Sequence, residues 1–265
     1  MTETPGGAPL AGRGAVVTGG GRGIGAAVAR ALSRSGASVL LAARSAVDID
    51  AVAAGLHAEG ARARAIPCDV TAEEDVKRLG REARRLLGRV DILVNGAGAA
   101  SSAPLRRISL EDWNRMIAAN ATSAFLCTRE FAPEMVERGF GRVVSIASRA
   151  GLEGARYVAH YSAAKHAVIG LTRSVALEVA GTGVTANAIC PGYVDTPMTD
   201  RTLAAIEART GLGRDAALAA VLETTGQGRL LTADEVAEVV LGLCREDAGA
   251  VNGQAILLPR EAEAR

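Results

Sequence analysis

The chain alternates short apolar runs with longer amphipathic stretches almost from end to end. Ala15-Val16-Val17 is the first run, suited only to a strand buried on both faces. Residues 26–35 then carry apolar side chains at helical spacing. The alternation recurs, predicting strands over 38–43, 62–67, 90–94, 141–147, 184–190 and 254–258. Between them it predicts helices over 46–59, 71–87, 110–138, 161–180 and 232–244. Thr71-Ala72-Glu73-Glu74 has the pattern of a capping box, and the 110–138 helix is expected to be interrupted near Pro133. Residues 199–224 form a helical excursion longer than a crossover needs, a natural lid over a substrate. No internal repeat or linker divides the chain. The reading is one α/β domain over 13–258, with a flexible tail at 1–12 and another at 259–265.

Composition narrows the function classes. Of 265 residues, 49% are hydrophobic and 22% charged, so the chain can bury a full core. A formal net charge of +1 gives no electrostatic case for nucleic acid or an anionic membrane. The basic helix around Lys77, Arg78, Arg81 and Arg84 lacks interleaved aromatics and reads as a solvated face. No apolar run is long enough to span a bilayer. The first twelve residues have no secretory pattern, so a cytoplasmic protein is expected. Cys68, Cys127, Cys190 and Cys244 show no C-x-x-C spacing and read as buried thiols; no metal site is expected.

The chemistry gathers where strands end. Thr18-Gly19-Gly20-Gly21-Arg22-Gly23-Ile24-Gly25 joins the first strand to the first helix. A glycine turn between strand and helix lets backbone N–H groups approach a phosphate, with the helix dipole behind them. This predicts a Rossmann-type doubly wound parallel sheet of about seven strands with helices on both faces. The second strand ends at Arg44, with no acidic residue between positions 38 and 47. An arginine there suits the 2′-phosphate of NADP(H) better than the 2′-hydroxyl of NAD(H), and Arg22 offers a second cation. NADP(H) is therefore favoured and NAD(H) stays possible. Asp69-Val70 lies where adenine contacts belong, and Asn95-Gly96-Ala97-Gly98 puts flexible backbone beside the same cleft.

Tyr161 and Lys165 are one helical turn apart in a chain whose only other lysine is Lys77. A free phenol titrates near ~10, too high for efficient proton exchange at neutral pH. An ammonium ~4 Å away would favour the phenolate by about 4 kcal/mol at an effective dielectric near ~20. Tyr161 is thereby expected to become a usable acid/base with a lowered pKa. Ser148 ends the fifth strand, at the sheet edge where ligands bind. Asn120, in mid-helix, marks either a local kink or a polar group with a task.

Together Thr18-Gly-x-x-x-Gly-Ile-Gly25, Asp69-Val70, Asn95-Gly-Ala-Gly98, Asn120, Ser148, Tyr161-x-x-x-Lys165 and Pro191-Gly192 resemble the short-chain dehydrogenase/reductase family. The likeness runs from about residue 10 to 258, to the family's compact branch of roughly 250 residues. It implies that Tyr161 is the catalytic acid/base, that Ser148 polarises a carbonyl and that Lys165 holds the nicotinamide ribose. It further implies that Asn120 holds a water relaying protons from Lys165. Val194 and Thr196 would contact the nicotinamide carboxamide, and the chain would assemble as a homotetramer. Two positions depart from the pattern. Gly96 replaces the usual second Asn, and Pro259-Arg260 stands where Asp-Gly-Gly is common.

The resemblance extends to ketoreductases of 3-oxoacyl thioesters and polyketide ketones. The substrate-pocket candidates are Ser148, Tyr157, Tyr193 and Met198, with Arg149 and His160 nearby in sequence. Helical geometry turns His160 off the catalytic face, so it is not read as a base. Arg201, Arg209 and Arg214 are either solvated charges or partners for the phosphates of coenzyme A or a carrier-protein arm. Three functions fit: an NADPH-dependent ketone reductase, an NAD-linked dehydrogenase of a hydroxyacyl or alicyclic alcohol, or a dinucleotide-sensing protein without chemistry.

Overall fold

The apolar runs become seven parallel strands, hydrogen-bonded in the order β3-β2-β1-β4-β5-β6-β7. The structure is a computed structural model and describes residues 8–259. The strands are β1 (Gly14–Thr18), β2 (Ser38–Ala43), β3 (Ala63–Pro67), β4 (Ile92–Asn95), β5 (Gly141–Ile146), β6 (Val184–Pro191) and β7 (Ala255–Leu258). Every residue of β1, β4, β5 and β6 is buried, as a sheet covered on both faces requires.

The pleat divides the core in two. Ala15, Val17, Val39, Leu41, Ile92 and Val94 face α1 (Gly23–Arg34), α2 (Ala46–Ala58) and α9 (Ala233–Cys244). Val16, Leu40, Leu93 and Val143 face α3 (Glu73–Leu87) and α5 (Ser123–Glu137) on the other side. The strand order reverses direction between β1 and β4, which opens a cleft above their carboxyl ends. The helix α6 (Ala159–Glu178) borders that cleft, and α7 (Pro197–Thr210) and α8 (Arg214–Thr225) make up the expected lid excursion.

Four local expectations are corrected. The long helix does not break at Pro133, which sits inside α5. It widens instead into one π-helical turn at Ala118–Thr122, between α4 (Leu110–Ile117) and α5. There Asn120 Nδ2 donates to the Met116 carbonyl and Ser123 Oγ to that of Ala119, occupying carbonyls the helix would otherwise use. The capping box at Thr71 is absent: α3 starts behind Ala72 without a side-chain cap. The Thr71 hydroxyl is committed to Asp69 Oδ1 at 2.7 Å, and Asp75, not Glu74, reaches back to the Asp69 N–H. The 199–224 excursion is two helices, because Gly211 ends α7 in the left-handed region at φ +73°. Residues 8–12 are ordered turns rather than loose tail. Leu10 is 1% exposed, and its N–H bonds the Ser35 carbonyl. The tail expectation for residues 1–7 and 260–265 lies outside the described residues.

Candidate active site

The glycine turn is shaped by close approach. A Cβ on Gly19 would lie 2.6 Å from the Gly96 carbonyl oxygen, and one on Gly25 2.2 Å from that of Gly19. Neither space admits a side chain, and Gly19 also needs φ +67°. The turn is tied to β4 by Thr18, whose hydroxyl donates to the Val94 carbonyl and accepts from the N–H groups of Gly96 and Ala97. Helix α1 starts at Gly23 with no side-chain cap from Arg22, so its first N–H groups are left for an anion. The residues thus fit a dinucleotide pyrophosphate. Thr196 stands over the same turn, its methyl 3.1 Å from where a Cβ on Gly23 would be. Arg22 and Arg44 are both exposed, and Arg22 lies 4.0 Å from Asp48.

The catalytic candidates converge at the ends of β4 and β5. Ser148 follows β5, and its Oγ accepts from the Ala150 N–H at 3.1 Å, leaving its own proton to donate. Helix α6 carries Tyr161, half-buried, and Lys165, 5% exposed. Ser162, between them, fastens this helix to the Ser148 turn by donating to the Ala150 carbonyl at 2.6 Å. Lys165 Nζ donates to the Ile146 carbonyl at 2.8 Å and stands 5.8 Å from the Tyr161 ring centre. Asn120 is buried in the π-turn, its Nδ2 held by the Ala99 and Met116 carbonyls. Its Oδ1 is buried without a partner, the acceptor a relay water would need.

The electrostatics differ from the sequence expectation. Lys165 does not pull the Tyr161 pKa down. Burial raises it above the ordinary phenol value, with the Ser148 hydrogen bond acting the other way. Burial also lowers the Lys165 ammonium to about 8. The lysine is drawn to a strand carbonyl, and desolvation disfavours the charged form of both groups. At neutral pH the phenol keeps its proton.

Other predicted residues are distributed less simply. Asn95 does not turn its side chain to the cleft; its amide bonds Thr128 and Ser145 and braces β4 against α5 and β5. Val70 and Val194 are buried in the two cores, and the Val194 carbonyl accepts from the Thr199 hydroxyl at 2.6 Å. The Gly192 N–H bonds the Leu258 carbonyl, so Pro191-Gly192 is fixed against β7. Tyr193 and Met198 are part-exposed beside the lid, whereas Tyr157 is 61% exposed at φ +66°, its carbonyl bonded to the Ala103 N–H. His160 is off the catalytic face as expected, with Nε2 2.8 Å from the Ser101 hydroxyl. Arg209 and Arg214 are engaged with Ser102 and Asp200, and Arg201 is exposed. Sequence reasoning gave no role to the side chains of Thr18, Ser162 and the buried Gln227, although each lies in a stretch it singled out.

The model of the short chain dehydrogenase family matches residues 13–207. This chain belongs to the short-chain dehydrogenase family. Among relatives of this dehydrogenase, a 3-oxoacyl-(acyl-carrier-protein) reductase of Synechocystis sp. is 42% identical over 187 residues, covering 70% of this chain and 76% of its own. A D-beta-hydroxybutyrate dehydrogenase of Rhizobium meliloti is 35% identical over 244 residues, covering 90% and 94%. Among solved structures, an actinorhodin polyketide ketoreductase variant with NADPH superposes with a TM-score of 0.88 at 34% identity, covering 93% of this chain and 95% of that one. The dehydrogenase is thus an oxidoreductase with the seven-stranded Rossmann architecture of its relatives. None of its described helices is long and apolar enough to cross a membrane.

Proposed function

We propose that the protein reduces a ketone, of the 3-oxoacyl thioester or polyketide class, to a secondary alcohol at the expense of NADPH. The observation that carries this reading is Tyr161, a phenol kept protonated by burial one turn from Lys165, on a helix that Ser162 ties to the Ser148 turn. Such a group arrives at a carbonyl as a proton donor.

The glycine turn, Arg22 and Arg44 would hold the dinucleotide, and the Pro191–Thr196 turn its nicotinamide end. When bound there, NADPH would supply the hydride that reduces the carbonyl carbon. Ser148 Oγ and Tyr161 Oη donate hydrogen bonds to the carbonyl oxygen as negative charge develops there. Tyr161 then yields its proton to that oxygen. The free Asn120 Oδ1 takes the water through which a proton returns to the phenolate left behind. Exposed Arg44 at the second strand end, with Arg22 in the glycine turn, supports NADP(H) over NAD(H). The substrate is a small ketone or one carried on coenzyme A or a carrier protein; the protein works as a cytoplasmic homotetramer.

The D-beta-hydroxybutyrate dehydrogenase relatives favour a second reading, an NAD-linked oxidation of a hydroxyacyl alcohol. One experiment separates the two. NADPH and NADH oxidation are followed against ketones, quinones and 3-oxoacyl thioesters, beside the reverse reaction with 3-hydroxy acids. Turnover of 3-oxoacyl or polyketide ketones with NADPH is expected. Preference for NADH, or turnover only of 3-hydroxy acids, contradicts the proposal.

A further inference from the structure

The turn after α8 buries an amide that the chemistry above leaves unused. Gln227 is 6% exposed. Its Oε1 accepts from the Tyr193 backbone N–H at 2.7 Å and from the Thr225 hydroxyl at 2.8 Å. Its Nε2 donates to the carbonyls of Tyr193 at 3.1 Å and Arg229 at 3.3 Å. One side chain thus pairs with both polar groups of the Tyr193 main chain, as a neighbouring strand would. A Cβ on Gly192 would lie 2.2 Å from Oε1, so a side chain at position 192 would push the amide out.

Tyr193 links this amide to both the lid and the proton donor. Its side chain packs on Leu203 of α7 and on Ala217 and Val221 of α8. Its phenol is close enough to Tyr161 to oppose that group's ionisation. From the other side Arg149, next to Ser148, donates to the Thr225 carbonyl at 2.9 Å. Val194 is held separately, by its bridge to Leu231 and by the Thr199 hydroxyl at 2.6 Å. The Tyr193 carbonyl also accepts from the Leu231 N–H at 3.0 Å, so loosening Gln227 releases the Tyr193 N–H and its tie to the end of α8 while the bridge at Val194 stays in place.

We propose that Gln227 is a positioning residue that sets Tyr193 as a wall of the ketone site and latches the α7–α8 excursion over it. The proposal rests on the ketone-reduction reading. Leucine at this position has similar volume but no donor or acceptor, which strands the Tyr193 N–H. Glutamate, when ionised, accepts but does not donate.

The test compares wild type with Gln227→Leu and Gln227→Glu. Ketone KM and kcat, NADPH dissociation by nicotinamide fluorescence, and the rate of tryptic cleavage in the excursion are measured. In Gln227→Leu, ketone KM is expected to rise about tenfold or more. NADPH affinity should hold, and trypsin should cut after Arg209 and Arg214 sooner. In Gln227→Glu, lowering the pH restores a donor and should bring KM back toward wild type. The tryptic readout needs no substrate, so it tests the latch even if no ketone is turned over. Unchanged KM and cleavage rate in Gln227→Leu overturn the proposal. Equal losses of NADPH and ketone affinity also overturn it, since they mark a general weakening of the fold. If Gln227→Leu does not fold, the Gln227→Glu profile decides alone, and a KM tracking wild type at every pH refutes the latch.

Discussion

Asn120 Oδ1 stands 2.7 Å from the point where a Cβ on Gly98 would be, with Lys165 Nζ 3.6 Å from the same point. Gly98 therefore keeps open the space between the amide and the ammonium. Gly98→Ala should displace Asn120, whose Nδ2 is fixed by two carbonyls and cannot swing freely. Turnover is expected to fall ten- to hundred-fold, an order-of-magnitude figure for a misplaced catalytic group. Circular dichroism and NADPH affinity should stay near wild type. A fully active Gly98→Ala variant would remove the relay from the mechanism.

Lys165 is retained at a cost in stability. Its folded pKa of about 8 lies below the ordinary lysine value of 10.5, so the unfolded chain binds more protons between those values. The destabilisation is fully present below about 8 and fades as pH rises toward 10.5. Lys165→Met removes the buried charge but also the bond to the Ile146 carbonyl. At pH ~7 the variant should be more stable by about 1–3 kcal/mol and nearly inactive. Its stability should also lose the rise that wild type shows across that window. Urea unfolding at neutral and alkaline pH checks the sign.

Tyr161→Phe removes the donated proton and leaves the ring. A fall in kcat of about 10²–10⁴ is expected, with NADPH dissociation unchanged. Because the wild-type phenol titrates above its ordinary value, reduction should show no loss from its ionisation through neutral pH. A pH profile of kcat that declines near 7 with an assignable tyrosine would contradict that placement.

Arg22 and Arg44 are solvent-facing, so the hold on a 2′-phosphate proposed for them would be screened by salt. Arg44→Ser should weaken NADPH binding by about tenfold, or ~1.4 kcal/mol, and leave NADH binding nearly unchanged. The NADPH preference proposed for wild type should shrink as ionic strength rises. Dissociation constants for both dinucleotides at two salt concentrations decide the matter.

Much of the site was legible in the sequence because it is written in rare residues at fixed spacing. Tyr161 and Lys165 are few in kind and one turn apart, and Ser148 closes a clean apolar run. The glycine turn announced itself by position between strand and helix. Gln227 did not, since a glutamine among glycines reads as loop until its partner at Tyr193 is seen. The direction of the Tyr161 pKa was also hidden. Spacing along a helix gives the neighbouring charge, but burial comes from elements far away in the chain. The bracing role of the Asn95 side chain was hidden for the same reason: its partners Thr128 and Ser145 come from later elements.

The π-turn at Ala118–Thr122 acts as a change of phase in an otherwise continuous rod. One extra residue in a helix of 3.6 per turn rotates everything beyond it by about 100°. Upstream, α4 meets α6; downstream, α5 lies against β4 and β5. Removing a single residue from this segment would straighten the rod while swinging the buried stripe of Leu126, Phe131 and Met135 off the sheet. The same protrusion that aims Asn120 at the cleft thus keeps two helix faces in register with two different neighbours, so deletions here should be far less tolerated than point substitutions.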